Sequence, residues 1–176
     1  LTAFLVSKTA AGVSTKDYPT VDGLRASDVY LENVSVGADA VIGPVDGILP
    51  ALEETQDNVI AALCAEAVGG MRVAHAMTVD YARQRKQFGV AIGSFQVLQH
   101  RMVDMFMWSE QSTSMAYLAA IRCGEDDVLE RAKACAGAKT QIGRGGRFVG
   151  QNAIQIFGGM GMTDELAIGH YFKRLT

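Results

Sequence analysis

Arg83, Arg85 and Lys86 gather three cations where a long amphipathic pattern ends, and Gln87, Phe88 and Gly89 follow at once. After Gly93, Ser94 and Phe95, Gln96 opens a new helical pattern. Cations at a helix C-terminus have a plain use, since each is worth ~0.3–1 kcal/mol there. An arginine fork, a phenyl face and an amide gathered around one short turn can also hold a pyrophosphate beside a flat ring system. A second stretch runs Gln155, Ile156, Phe157, Gly158, Gly159, Met160, Gly161. Its glycines end a helix and let backbone approach a ligand closely, and Gln155 shares a helical face with Gly158. The stretch is not a GxGxxG and no strand precedes it, so a Rossmann reading fails. Basic groups and bare backbone amides together suit a phosphate-bearing cofactor.

Other chemistry-bearing residues read as structural. Cys64, Cys123 and Cys135 are odd in number and none sits at CxxC spacing, which implies reduced, buried or half-buried thiols and a cytoplasmic setting. His75, His100 and His170 are far apart and lack ligand spacing, so no metal is expected. Gly143, Gly145 and Gly146 fall inside a helical pattern, where each costs ~1 kcal/mol relative to alanine; close helix packing is the expected reason. Arg144 and Arg147 beside them are assigned no ligand. Met102, Met105 and Met107 read as core filler.

These residues need elements to position them, and 176 residues with 49% apolar content can build a packed core. A net charge of −3 argues against a nucleic-acid binder. No apolar run reaches the ~18 residues of a membrane span, and the short apolar start lacks the charged leader of a signal peptide. The chain changes character near residue 48. Before it, Ala3 to Val6, Asp28 to Leu31 and Val34 to Val36 read as short strands, with a bend at Glu32 and Asn33. Turn chemistry sits at Ala11-Gly12, Tyr18-Pro19, Asp22-Gly23, Gly43-Pro44 and Asp46-Gly47. So small a sheet cannot bury both faces alone, which suggests that residues 1–48 are the C-terminal part of a middle β domain that begins before Leu1.

Residues 49–176 read as a helical-bundle domain. Four helices are expected, at about 50–86, 95–123, 126–157 and from Thr163 or Asp164 onward, with Asp164 as a plausible N-cap. Ala61, Cys64, Ala65, Val68, Met71, Ala74, His75 and Thr78 form the inward stripe of the first, at three- and four-residue spacing. Long helices joined by short links give an antiparallel bundle. The fold class is therefore mainly α, a four-helix antiparallel bundle preceded by a partial antiparallel β domain.

With those stretches in place, the chain resembles the acyl-CoA dehydrogenase family over essentially its whole length. The segment from Ala67, Val68 and Gly69 through Arg85–Gly89 to Gly93–Gln96 resembles the family's paired-helix signature, and 155–161 its second signature. Phe4 to Val6, Gly12-Val13 and Val34 to Asp39 resemble the close of its middle β domain. The flavour is that of bacterial enzymes acting on dicarboxyl-CoA thioesters such as pimeloyl-CoA. The resemblance implies an FAD-dependent oxidation of an acyl-CoA to a trans-2-enoyl-CoA, with electrons leaving to an electron-transfer flavoprotein. It implies that Arg85, Gln87, Phe88 and Gln96 contact the pyrophosphate and adenine side of FAD, that Gln155, Gly158 and Gly159 line its adenosine end, and that this FAD belongs to a neighbouring subunit of a homotetramer.

The resemblance also places the flavin-ring residues before Leu1 and the usual base beyond Thr176, so the chain alone is expected to be inactive. Some branches carry the base near the start of the first long helix. That position falls at about Val59, which cannot act as a base, and Glu53, Glu54 and Asp57 do not match it. No catalytic residue is assigned. Two other readings share the fold: a non-catalytic FAD- or CoA-binding assembly subunit, and a flavin oxidase or monooxygenase.

Overall fold

The computed structural model describes residues 1–176 and divides them into two compact units, Leu1–Gln56 and Asp57–Thr176. In the first unit β2 (Val13–Pro19) and β3 (Arg25–Leu31) form an antiparallel hairpin in full register from Val13 opposite Leu31 to Pro19 opposite Arg25. Asp22 and Gly23 turn it, Gly23 at φ 85°, as their turn chemistry foretells. Short β1 (Ala3–Phe4) pairs with β4 (Val41–Ile42). β2 was missed because Thr15, Lys16 and Asp17 hide its alternation, and Tyr18-Pro19 closes this strand rather than making a turn. Val34 to Val36 is irregular: Asn33 at φ 51° turns the chain out of the ladder first.

α1 (Leu49–Gln84), α2 (Gln96–Cys123), α3 (Val128–Phe157) and the short α4 (Ala167–Leu175) follow, with the small hairpin β5 (Lys86–Gln87) and β6 (Val90–Ala91) between α1 and α2. Within the second unit, α1, α2 and α3 bury Cys64, Val68, Met71, Met105, Cys135, Ile142 and Val149, and α4 adds Ile168. The expected α1 stripe is the buried one apart from Ala65, which is exposed, and His75, which is half-buried. Of the methionines, Met105 is in the core, Met102 packs against it, and Met107 faces out. α3 starts under a true N-cap: the Asp127 carboxylate accepts from the amides of Leu129 and Glu130 at 3.1 Å each. α4 starts three residues later than the acidic signal suggests. Met160 carbonyl oxygen takes up the Thr163 amide and hydroxyl, so a 3₁₀ segment over Gly158–Met162 precedes the helix. Asp164 is not its cap; its side chain accepts from Lys173.

The helical glycines divide by environment. A Cβ on Gly146 would lie 3.2 Å from the Leu175 carbonyl oxygen, and one on Gly150 3.0 Å from the Phe172 ring, so α4 sits directly on α3 backbone. Gly143 meets nothing within 4 Å, and close packing does not explain it. α1 is long and apolar enough to cross a membrane by length and composition alone, against the expectation that no segment would be. Its alanine, valine and methionine content supplies the bundle core. Glu66, midway along it, pairs with Arg174 at 2.6 Å.

Candidate functional site

The up-down-up course of α1, α2 and α3 brings the end of α1, the start of α2 and the end of α3 to one end of the bundle. Two side-chain contacts fix that arrangement. Tyr81, in the last turn of α1, stacks on Phe157, the last residue of α3, with ring centroids 4.3 Å apart and planes 18° from parallel. Arg101 on α2 reaches Asn152 on α3 at 3.4 Å. The seven residues singled out from sequence, Arg85, Gln87, Phe88, Gln96, Gln155, Gly158 and Gly159, all lie at this end and all are exposed.

Between α1 and α2 the chain makes a two-residue β-hairpin. Lys86 pairs with Ala91 and Gln87 with Val90, leaving Phe88 and Gly89 as the loop. Both loop residues have positive φ, 55° and 82°, as a type I′ turn requires. Gly89 thus serves the hairpin and not the helix, which ends at Gln84. A phenylalanine in the left-handed region is uncommon, and here its ring is 93% exposed with only the edge of Phe95, 6.2 Å away, beside it. The hairpin is seated by Gly93, whose missing Cβ would lie 3.0 Å from the Ala82 carbonyl oxygen. Gln99 donates to the Gly93 carbonyl at 2.9 Å, and the Ile92 amide donates to the Arg85 carbonyl at 2.8 Å.

The cations at this turn differ. Arg83 pairs with Asp80 at 3.6 Å. The Arg85 guanidinium has no hydrogen bond or ion pair within the chain, although its backbone amide caps the last turn on Tyr81 at 2.8 Å. Gln87 spends its amide nitrogen on the Lys86 carbonyl at 2.7 Å. Across the Tyr81–Phe157 stack, Gly158 adopts φ 63° and ψ −142°, a conformation essentially reserved for glycine, while its amide still closes α3 on Ile154. A Cβ on Gly158 or Gly159 would meet nothing within 4 Å, so the bend is open to an approaching group.

The surface end of the bundle thus offers a free guanidinium, an outward phenyl ring, side-chain amides and bare backbone. That set can take an anion next to a flat ring system. Tyr81 heads the first stretch in sequence, where it is assigned no role, and in the structure it joins the two stretches. The signal was an aromatic residue one turn before Arg85, indistinguishable in sequence from an ordinary core residue. Asp57, weighed as a nearby acid, is buried and bonded to the Arg131 side chain at 3.0 Å, which the spacing of 74 residues gave no means of seeing.

A sequence profile of the acyl-CoA dehydrogenase C-terminal domain matches residues 54–176. The chain is 31% identical to mitochondrial isovaleryl-CoA dehydrogenase of Solanum tuberosum over 176 aligned residues, covering 98% of this chain and 42% of that protein. It is structurally similar to butyryl-CoA dehydrogenase from Megasphaera elsdenii, with a TM-score of 0.87 and 25% identity over 99% of this chain and 46% of that one. A structure of PigA with FAD and proline gives a TM-score of 0.87 and 28% identity, with the same coverage of both chains. The chain spans less than half the length of these relatives. On the profile match, the aligned identity and the shared helical bundle, it belongs to the acyl-CoA dehydrogenase family.

Proposed function

We propose that this chain is part of an FAD-dependent acyl-CoA dehydrogenase that converts an acyl-CoA thioester to a trans-2-enoyl-CoA. Its part is to receive the adenosine and pyrophosphate half of an FAD held mainly by a neighbouring subunit. The observation that carries this reading is the Arg85 turn: an unpaired guanidinium beside a phenylalanine ring held outward at positive φ. Such a pair is poorly accounted for within the chain and well matched to a pyrophosphate and the rings that flank it.

The residues present fit the group. Arg85 would fork the pyrophosphate, with Gln87 and Gln96 supplying amide contacts. Phe88 would cover a ring face, while Gln155, Gly158 and Gly159 would lie along the adenosine. FAD, when bound, supplies acceptance of the hydride leaving the substrate's β-carbon. This chain's residues hold and orient the remote half of the cofactor, and no residue here is assigned to abstracting the α-proton. Asp57 is committed to Arg131, and Val59 has no acid–base chemistry. An electron-transfer flavoprotein as acceptor, a homotetrameric assembly and a cytoplasmic setting belong to the same proposal.

The test uses the full-length protein with bound FAD, a series of acyl-CoAs and an artificial electron acceptor, with enoyl-CoA formation followed directly. Acyl-CoA-dependent reduction of the acceptor supports the reading, and no turnover with any acyl-CoA overturns it. The likeness to PigA, solved with FAD and proline, supports a second reading, a flavin enzyme of the same fold acting on another substrate class. Fast reoxidation of its reduced flavin by oxygen would favour the oxidase or monooxygenase form of that reading.

A further inference from the structure

At the opposite end of α2 from the proposed cofactor site, Cys123 and Cys135 face each other with their sulfurs 3.7 Å apart. They are twelve positions apart in the chain, and the Gly124–Asp127 turn folds the second helix back so that they meet. Cys123 is the last residue of α2 and half-buried, whereas Cys135 lies two turns into α3 and is fully buried. We propose that Cys123 and Cys135 are a reversible thiol–disulfide pair, with Cys123 the sulfur that meets a hydroperoxide and Cys135 the sulfur that closes the bond.

The geometry supports each half of that assignment. A disulfide needs the sulfurs at ~2.05 Å, so closure asks for a shift of under 2 Å. The shift falls at a helix C-terminus, where the last turn is the easiest part of a helix to move. Cys123 is the reachable sulfur. Burial, followed by the hydrogen bond and charge of Cys123, pushes the Cys135 thiol up to about 12, so Cys135 is a poor first nucleophile. The charge of a Cys123 thiolate disappears once Cys123 is oxidised to a neutral sulfenic acid, which relieves one cause of that elevation.

The chemistry balances with a hydroperoxide as oxidant. The Cys123 thiolate attacks the peroxide oxygen, the O–O bond breaks, and a sulfenic acid forms as hydroxide or alkoxide leaves. The Cys135 sulfur then attacks the Cys123 sulfur, the S–O bond breaks, and the departing hydroxide takes up the Cys135 thiol proton and leaves as water while the disulfide forms. With hydrogen peroxide, two thiols and one peroxide yield one disulfide and two waters.

Closure also acts on the bundle. Cys135 donates its thiol proton to the Asp57 carbonyl at 3.6 Å, and the Asp57 carboxylate is bonded to Arg131, one turn earlier on α3. Drawing Cys135 toward Cys123 releases that contact between α1 and α3. Gln96 stands ~40 Å away along α2, so cofactor binding is expected to be unchanged.

The experiment is peptide mapping of the full-length protein. It is reduced, freed of reductant, treated with hydrogen peroxide, quenched, and alkylated after unfolding. The expected result is a peptide pair linked between Cys123 and Cys135, reversed by dithiothreitol, with Cys64 fully alkylated. In Cys135→Ser the Cys123 sulfenic acid should persist and be trapped by dimedone. In Cys123→Ser, Cys135 should stay a thiol at least tenfold longer. Wild-type protein alone can overturn the proposal, whatever the variants do. It falls if Cys123 runs on to the sulfinic acid while Cys135 remains alkylatable, if Cys64 takes the link, or if neither sulfur of the pair is oxidised.

Discussion

Replacing Arg85 by alanine separates ligand binding from protein stability better than any other change at the site. The guanidinium has no partner within the chain, so its removal strands no acceptor and opens no cavity. Apo-protein stability should therefore stay within the ~0.5 kcal/mol expected of a plain surface substitution. If Arg85 forks a pyrophosphate, the loss falls entirely on the cofactor. Charge-assisted hydrogen bonds are worth ~1.5–3 kcal/mol, which corresponds to roughly ten- to hundredfold weaker FAD binding. Arg85→Lys should recover only part of this, because an ammonium cannot present the planar fork. Arg83→Ala is the matched control. Arg83 lies two residues earlier, is bound to Asp80 and is well exposed, so its removal should alter affinity little. The assay is titration of deflavinated full-length protein with FAD at fixed ionic strength, together with thermal unfolding of each apo-protein. Equal affinities for wild type and Arg85→Ala would remove Arg85 from the site. An equal loss in Arg83→Ala would show that general positive charge, not a specific fork, draws the cofactor.

Other consequences can be checked independently. Gly143→Ala should stabilise α3 by up to ~1 kcal/mol, since its Cβ enters open space, whereas Gly146→Ala should destabilise by ~1–3 kcal/mol, as its Cβ presses on the Leu175 carbonyl; urea unfolding giving both the same sign would refute the packing account. The Cys135 thiol is raised by burial from 9.0 to about 12, so the unfolded chain loses this proton first. Its contribution is then complete below about pH 9 and is lost as pH rises toward 12, with a slope of up to ~1.4 kcal/mol per pH unit. Cys135→Ala should show a flatter decline over that window in denaturant titrations. Val103, Phe106, Met107, Tyr117, Leu118 and Ile121 leave α2 with a broad exposed apolar surface, which usually marks a partner contact. Sedimentation of the full-length protein should show a homotetramer that shifts to smaller species when FAD is stripped, and a flavin-saturated monomer would contradict this. The 176-residue chain alone should show no acyl-CoA turnover above a no-protein control.

Local chemistry was enough to read the helices, the two signature stretches and the family. Three- and four-residue apolar spacing marks α1 through α3 without reference to any partner, whereas the Asp127 cap that starts α3 is visible only in the structure. The sequence also showed that Arg85, Phe88 and Gln96 crowd one turn, since short separation along the chain forces proximity. Wherever two distant segments had to meet, only the tertiary structure could decide. β2 emerges from a polar stretch because its register with β3, not its own alternation, makes it a strand. Gly146 and Gly150 prove to be contact points for α4 while Gly143 does not, a distinction that depends on which face of α3 the last helix covers. The Tyr81–Phe157 stack, the Asp57–Arg131 pair and the Cys123–Cys135 approach each join residues on different helices. Their types are ordinary in sequence, and packing alone sets them at bonding distance.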